Sequence, residues 1–295
     1  MNKKIKIELI CNPQCSLGEN PYWNNIDKKL YFTDITECCL WRCDIKTDEA
    51  EKFWTGDFKV GGFAFNQTHQ IIMFAENKVL KLHENGTLET LFEMQFRHGQ
   101  IFNDIIVDPM GRIFAGTVSH EGGSDTLFRF EKGKTPKIVV ENLHCSNGMA
   151  FSMDQKSFFH TDTRTCRIIK YDYDKQTGAI NNPRIFYQGN RPMGLPDGMT
   201  IDTDDCIWIA FWGGSTVLKF SPTGQIIGHI PLPCKNPTSL IFGGDKLNEL
   251  YITSASIGRK SPESRVTKKG ELFLGGGIYR IKTQTTGRKE WLANL

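Results

Sequence analysis

Short apolar runs return along the chain at a nearly fixed interval, each flanked by polar turns. Six of them are LYFTDI from Leu30, IIMFAE from Ile71, IFAGTV from Ile113, SFFHTD from Ser157, IWIAFW from Ile207 and LYITSA from Leu250. The steps between their first residues are 41, 42, 44, 50 and 43. After each run comes a second segment with aromatic or basic alternation: CLWRCDI, KVLKLHENG, TLFRFEKG, RIIKYDYD, TVLKFSPTG and GIYRIKT. Most runs are also preceded by a strand-like segment ending in a polar turn, as in GFAFNQTHQ, IIVDPMG, MAFSMDQKS, MTIDTDDC and LIFGGDKLN. Period-two alternation broken by Gly, Asp and Asn is the pattern of short β-strands. Three or four such strands per repeat predict the blades of a propeller, and no convincing helix-period segment interrupts them. The expected fold is all-β: one six-bladed β-propeller domain over residues 1–295, with a metal site at its centre. The alternating start, KIKIELI, predicts a strand that joins the blade built from the last residues and leaves no sheet edge free.

Superposing the repeats brings one register into view. Just before each expected innermost strand stand Glu19, Gly61, Asn103, Asn147, Asp197 and Thr238. In a propeller these strands line the central channel, so the six positions are expected to ring one end of it. Each polar residue taken singly is an ordinary turn residue, as Pro196-Asp197-Gly198 illustrates. Five polar residues out of six at one register go beyond what turns require. Two carboxylates, two amides and a hydroxyl converging from separate blades suit a hard divalent cation.

Composition narrows the partners. Hydrophobic residues make up 39% and charged residues 23%, and 36 basic against 33 acidic residues leave a net charge of +3. The densest basic group, Arg259 to Lys269, is diluted by Ser, Pro and Glu, so no nucleic-acid partner is expected. No apolar run is long enough to span a membrane, and the alternating start lacks the apolar core of a signal peptide. The nine cysteines are expected to be reduced thiols in a cytoplasmic protein. Cys11, Cys15, Cys38, Cys39 and Cys43 cluster in sequence but form no CxxC pair, which argues against a zinc site. No HxH or HExxH occurs, GxSxG is absent, and Gly275–Gly277 predicts a loop entering the last strand, not a phosphate cradle. His160 is expected to be a strand residue first, and Trp208 to pack between blades.

Several longer motifs occur: SLGENPYWNNIDKKLYFTDI, FNDIIVDPMGRIFAGTV, SNGMAFSMDQKSFFHTDT, PDGMTIDTDDCIWIAFWGG and LPCKNPTSLIFGGDKLNELYITSA. On these motifs, from about Ile7 to Arg288, the chain resembles the senescence marker protein/regucalcin/gluconolactonase family, which includes luciferin-regenerating enzymes. The resemblance implies a six-bladed propeller around one divalent metal. It makes Glu19, Asn147 and Asp197 the metal ligands, and Asn103 a contact to substrate or bound water. It also puts Glu121 on a loop bordering the pocket. Calcium is the first expectation for the cation, with zinc, magnesium, manganese and iron as alternatives.

The implied activity is hydrolysis of a sugar lactone or aldonolactone to its hydroxy acid. Asp197 is the expected base, with Glu19 as the other candidate. The alternatives are a non-catalytic calcium-binding regulatory protein and a propeller scaffold for binding. One departure concerns the substrate. Ile101 stands where lactone-hydrolysing relatives usually carry an arginine, and isoleucine offers no hydrogen bond to a sugar hydroxyl. Ile101 is therefore expected to line the substrate side, with Arg97 and His98 as the nearest basic side chains in sequence. The expected partner is a small-molecule lactone, and the expected state a monomer or weak oligomer.

Overall fold

The computed structural model describes residues 5–119, 125–256 and 275–295. The protein is an all-β, six-bladed β-propeller, and each blade is a four-stranded antiparallel sheet. The inner strands are Gly18–Asn24, Val60–Phe65, Gln100–Val107, Ser146–Phe151, Leu195–Ile201 and Asn236–Gly243. The six recurring apolar runs are the second strands, from Lys29–Asp34 in blade one to Glu249–Ala255 in blade six. They are buried on both faces, which is why they carry near-continuous apolar sequence. The outer strands, such as Glu49–Thr55 and Leu88–Glu93, are largely exposed. Blade six takes its outer strand from the start of the chain: Ile7–Cys11 pairs with Ile278–Lys282. Gly275 and Gly276 form the turn that leads into that last strand, as expected from the sequence.

The turn after most inner strands is built by one side chain. Asn66 Oδ1 accepts from the backbone N–H groups of Thr68 and Gln70, Asp108 Oδ1 from Met110 and Arg112, and Asp202 Oδ1 from Asp204 and Cys206. Short Asn and Asp side chains suit this work because they can replace the backbone partner that a tight turn lacks.

The chain divides into two compact units. Blades one, five and six form one, Met1–Thr55 with Asn190–Lys289; blades two, three and four form the other, Gly56–Gly189 with Glu290–Leu295. Inside each unit, neighbouring blades meet through aromatic pairs at a repeated register. Trp208 of blade five lies edge-on to Phe242 of blade six, with ring centroids 6.0 Å apart. Tyr251 of blade six stacks on Trp23 of blade one at 5.5 Å, and Phe114 of blade three meets Phe151 of blade four at 5.7 Å. Each pair joins the second residue of an apolar run to the inner-strand residue four places after the ring position. Trp208 thus packs between blades as expected, and its indole N–H also donates to Asp202 Oδ2 at 2.9 Å.

Blades three and four share a buried polar lock as well. Arg112 Nε donates to Asp108 Oδ2 at 2.5 Å, and Nη2 donates to the Tyr173 hydroxyl and the Lys175 carbonyl. Tyr173 in turn donates to Asp108 Oδ2 at 2.8 Å. Asp108 is completely buried and Arg112 nearly so. Removing one partner would strand the other charge inside the protein. Arg112→Met should therefore cost ~3–5 kcal/mol, seen as a lower urea midpoint with an unchanged slope. A loss smaller than ~1 kcal/mol would show that Asp108 does not depend on the guanidinium.

Candidate active site

In every blade the ladder between inner and second strands slips at one place. In blade one Glu19 pairs with Thr33, and the next pair is Tyr22 with Tyr31. The same two-against-one step separates Phe102 from Ile105, Ser146 from Met149, Pro196 from Met199, and Pro237 from Leu240. In blade two a single extra residue, Gly61, lies between Val60 and Gly62. Each slip is a β-bulge, which bends the strand and redirects the side chain it carries. Asn103, Asn147, Asp197, Thr238 and Gly61 fall inside their bulges. Glu19 is the last paired residue before its own, and Asn20 follows with φ of +45°. The sequence placed these residues just ahead of the inner strands; they lie within them, because pairing resumes on both sides of the bulge.

The six positions do different work. Glu19, Asn147 and Asp197 are buried, and Asn20 N–H donates to Glu19 Oε2 at 3.3 Å. Asn103 is half-buried, and its Nδ2 donates to the Ser146 carbonyl at 2.9 Å. Thr238 is engaged structurally: its hydroxyl donates to the Gly18 carbonyl at 2.5 Å and lies 2.8 Å from Thr253 Oγ1. It thus braces the residue before Glu19. Gly61 answers to space alone, since a Cβ there would come within 2.3 Å of the Phe102 carbonyl oxygen and 2.7 Å of that of Asn103. Gly198, after Asp197, is needed for the same reason, its missing Cβ lying 2.2 Å from Ser239 Oγ.

Ile101 is half-buried and pairs with Val118 across blade three. Glu121 and His120 lie outside the described residues. His160 is a strand residue, as expected, but a fully buried one, and burial pushes its pKa down to about 3. Nothing in the residue pattern singles out Ser146, although it adjoins Asn147 and its carbonyl accepts the Asn103 amide. No disulfide joins any of the nine cysteines. Burial raises the thiols of Cys15 and Cys39, the latter to about 11, which keeps both protonated.

Chemically, Glu19, Asp197 and Asn147 each carry hard oxygen donors. Two buried carboxylates are costly unless their charge is compensated. A divalent cation that prefers oxygen would compensate it, and calcium, magnesium and manganese all qualify. Donors of this kind fit such an ion, and none of the three is the thiolate or imidazole that softer metals favour.

The family model described as the SMP-30/gluconolactonase/LRE-like region matches residues 17–256. The chain is 30% identical to the pentonolactonase XacC of Haloferax volcanii over 295 residues, covering 99% of both chains. It is 31% identical to human regucalcin over 287 residues, covering 94% of both. A solved luciferin-regenerating enzyme superposes with a TM-score of 0.88 at 25% identity, over 99% of this chain and 100% of that one. The chain belongs to the SMP-30/gluconolactonase/LRE-like family.

The steric account of Gly61 can be checked directly. Gly61→Ala should lower the thermal midpoint by the equivalent of ~1–3 kcal/mol, because the methyl group meets backbone that has little freedom to move. An unchanged midpoint would mean that blades two and three can part without cost.

Proposed function

We propose that the protein is a metal-dependent lactonase that opens a sugar lactone or aldonolactone to the hydroxy acid. The observation that carries the proposal is the coincidence of bulge and residue type: redirected positions in blades four and five bear Asn147 and Asp197, and Glu19 borders the bulge of blade one. Membership of a family with a relative named pentonolactonase supports the substrate class. In this proposal Glu19, Asn147 and Asp197 hold one divalent cation, calcium first. When bound, the cation supplies Lewis acidity, easing deprotonation of water and stabilising negative charge on the lactone carbonyl oxygen.

Asp197 takes the proton from the attacking water as the new C–O bond forms at the carbonyl carbon. The tetrahedral adduct collapses with cleavage of the ring C–O bond. The leaving alkoxide then recovers a proton and becomes the hydroxyl of the product. Asn103 helps to seat the substrate. With Nδ2 committed to the Ser146 carbonyl, its Oδ1 is the end of the amide that accepts a substrate hydroxyl. Glu121 is assigned to the substrate border and Ile101 to an apolar wall. The relatives named regucalcin leave a second reading open, a calcium-binding regulator without turnover.

Acid release from a panel of lactones, with and without chelator, separates the two. Chelation should abolish release and lower the thermal midpoint, and added metal should restore both in a concentration-dependent way. Asp197→Asn, nearly isosteric, should remain folded and lose turnover by ~10² or more. Wild-type rates in that variant would remove Asp197 from the chemistry. Turnover abolished only in Glu19→Gln, with metal still bound, would transfer the role of base to Glu19.

Substrate preference tests Ile101. A hydrogen bond from a charged donor contributes ~1.5–3 kcal/mol, so an arginine forsaken here corresponds to ~tenfold or more in kcat/KM on polyhydroxylated lactones. Ile101→Arg should raise kcat/KM for gluconolactone-type substrates relative to simpler lactones. No gain, in an enzyme already efficient on gluconolactone, would show that another residue supplies the hydroxyl contacts.

A further inference from the structure

Ser146 is fully buried and stands at one edge of the bulge that carries Asn147 and Gly148. Its carbonyl accepts the Asn103 amide, and its Oγ lies 2.7 Å from His160 Nε2. The fit around it is tight: a Cβ on Gly116 would come within 2.1 Å of Ser146 Oγ. His160 pairs with Met149, the first paired residue on the far side of the same bulge. The imidazole therefore bridges the bulge, from the partner of Met149 back to Ser146.

A histidine is an expensive occupant of this place. It is completely buried beside Phe158, whose ring is nearly parallel to the imidazole at a centroid distance of 6.2 Å. Among the described residues its Nδ1 has no hydrogen-bond partner. A buried nitrogen left unpaired carries a desolvation penalty that phenylalanine would avoid. What phenylalanine could not provide is the bond to Ser146.

We propose that His160 is a positioning residue acting through Ser146, pinning the bulge that presents Asn147 and steadying the carbonyl that orients the Asn103 amide. The roles of Asn147 and Asn103 rest on the function proposed above. No step of the chemistry passes through the imidazole. Its contribution is to keep a metal ligand and a substrate contact in fixed relation, where small displacements are costly to the rate.

The test compares His160→Phe, Ser146→Ala, the double variant and His160→Gln, whose amide can reach Ser146 in place of Nε2. Three quantities are measured: calcium affinity by calorimetry, kcat/KM on the lactone panel, and the Asn103 side-chain amide resonance in metal-free protein. His160→Phe should keep or raise the thermal midpoint, yet weaken calcium binding and kcat/KM each by ~tenfold and shift the Asn103 resonance. Ser146→Ala should do the same, the double variant should be no worse than either, and His160→Gln should recover most of the loss. An unmoved Asn103 resonance with wild-type calcium affinity in folded His160→Phe overturns the proposal, as do losses that multiply in the double variant. Should His160→Phe fail to fold, Ser146→Ala decides by the same readouts. A wild-type protein that opens no lactone defeats the proposed function instead, and the Asn103 resonance still decides the positioning role.

Discussion

The inner strand of every blade has one residue more than its partner can pair, and the organisation of the candidate site follows from that mismatch. A regular strand sends successive side chains to opposite faces, so a uniform ladder would commit each position to one neighbouring surface. The bulge suspends this alternation for a residue or two without ending the strand. Pairing on either side holds the backbone firmly, and the released residue can face a direction that regular pleating does not offer. The same slip in each sheet converts a structural repeat into a set of equivalent presentation points.

Equivalence of backbone leaves the chemistry of each point open. Gly61 is set by the carbonyls of blade three, and Thr238 by the need to hold the backbone beside Glu19. Asn103 has one end of its amide occupied by Ser146, which settles what the other end can do. The remaining three positions carry buried oxygen donors. A repeated backbone device thus carries unlike side chains, some of them braces for neighbouring strands and some of them buried oxygen donors.

Much of this was legible in the residues. The second strands announced themselves because burial on both faces demands continuous apolar sequence, and the polar ring register showed as soon as the repeats were superposed. The outer strands were harder to see, since exposed segments such as Glu49–Thr55 have little apolar patterning to distinguish them. The bulges were invisible for a physical reason: a one-residue slip alters which face a side chain takes, but not which residue types the strand can contain. Thr238 entered the ring as one more oxygen, and only its bond to Gly18 shows that it braces the strand instead. Ser146 and His160, fourteen positions apart in sequence, become related only through the ladder of blade four.

The shared sixth blade has a consequence for how the molecule is made. Its outer strand, Ile7–Cys11, precedes every other described strand along the chain, and its partner, Ile278–Lys282, follows them all. Until that partner arrives, the early strand has no sheet to join and must wait with its hydrogen-bonding groups satisfied by water. Closing so long a loop is slow compared with forming hairpins within a blade. The last blade is therefore expected to be a late step on the folding pathway, and one that makes two strands far apart in sequence depend on each other for their order.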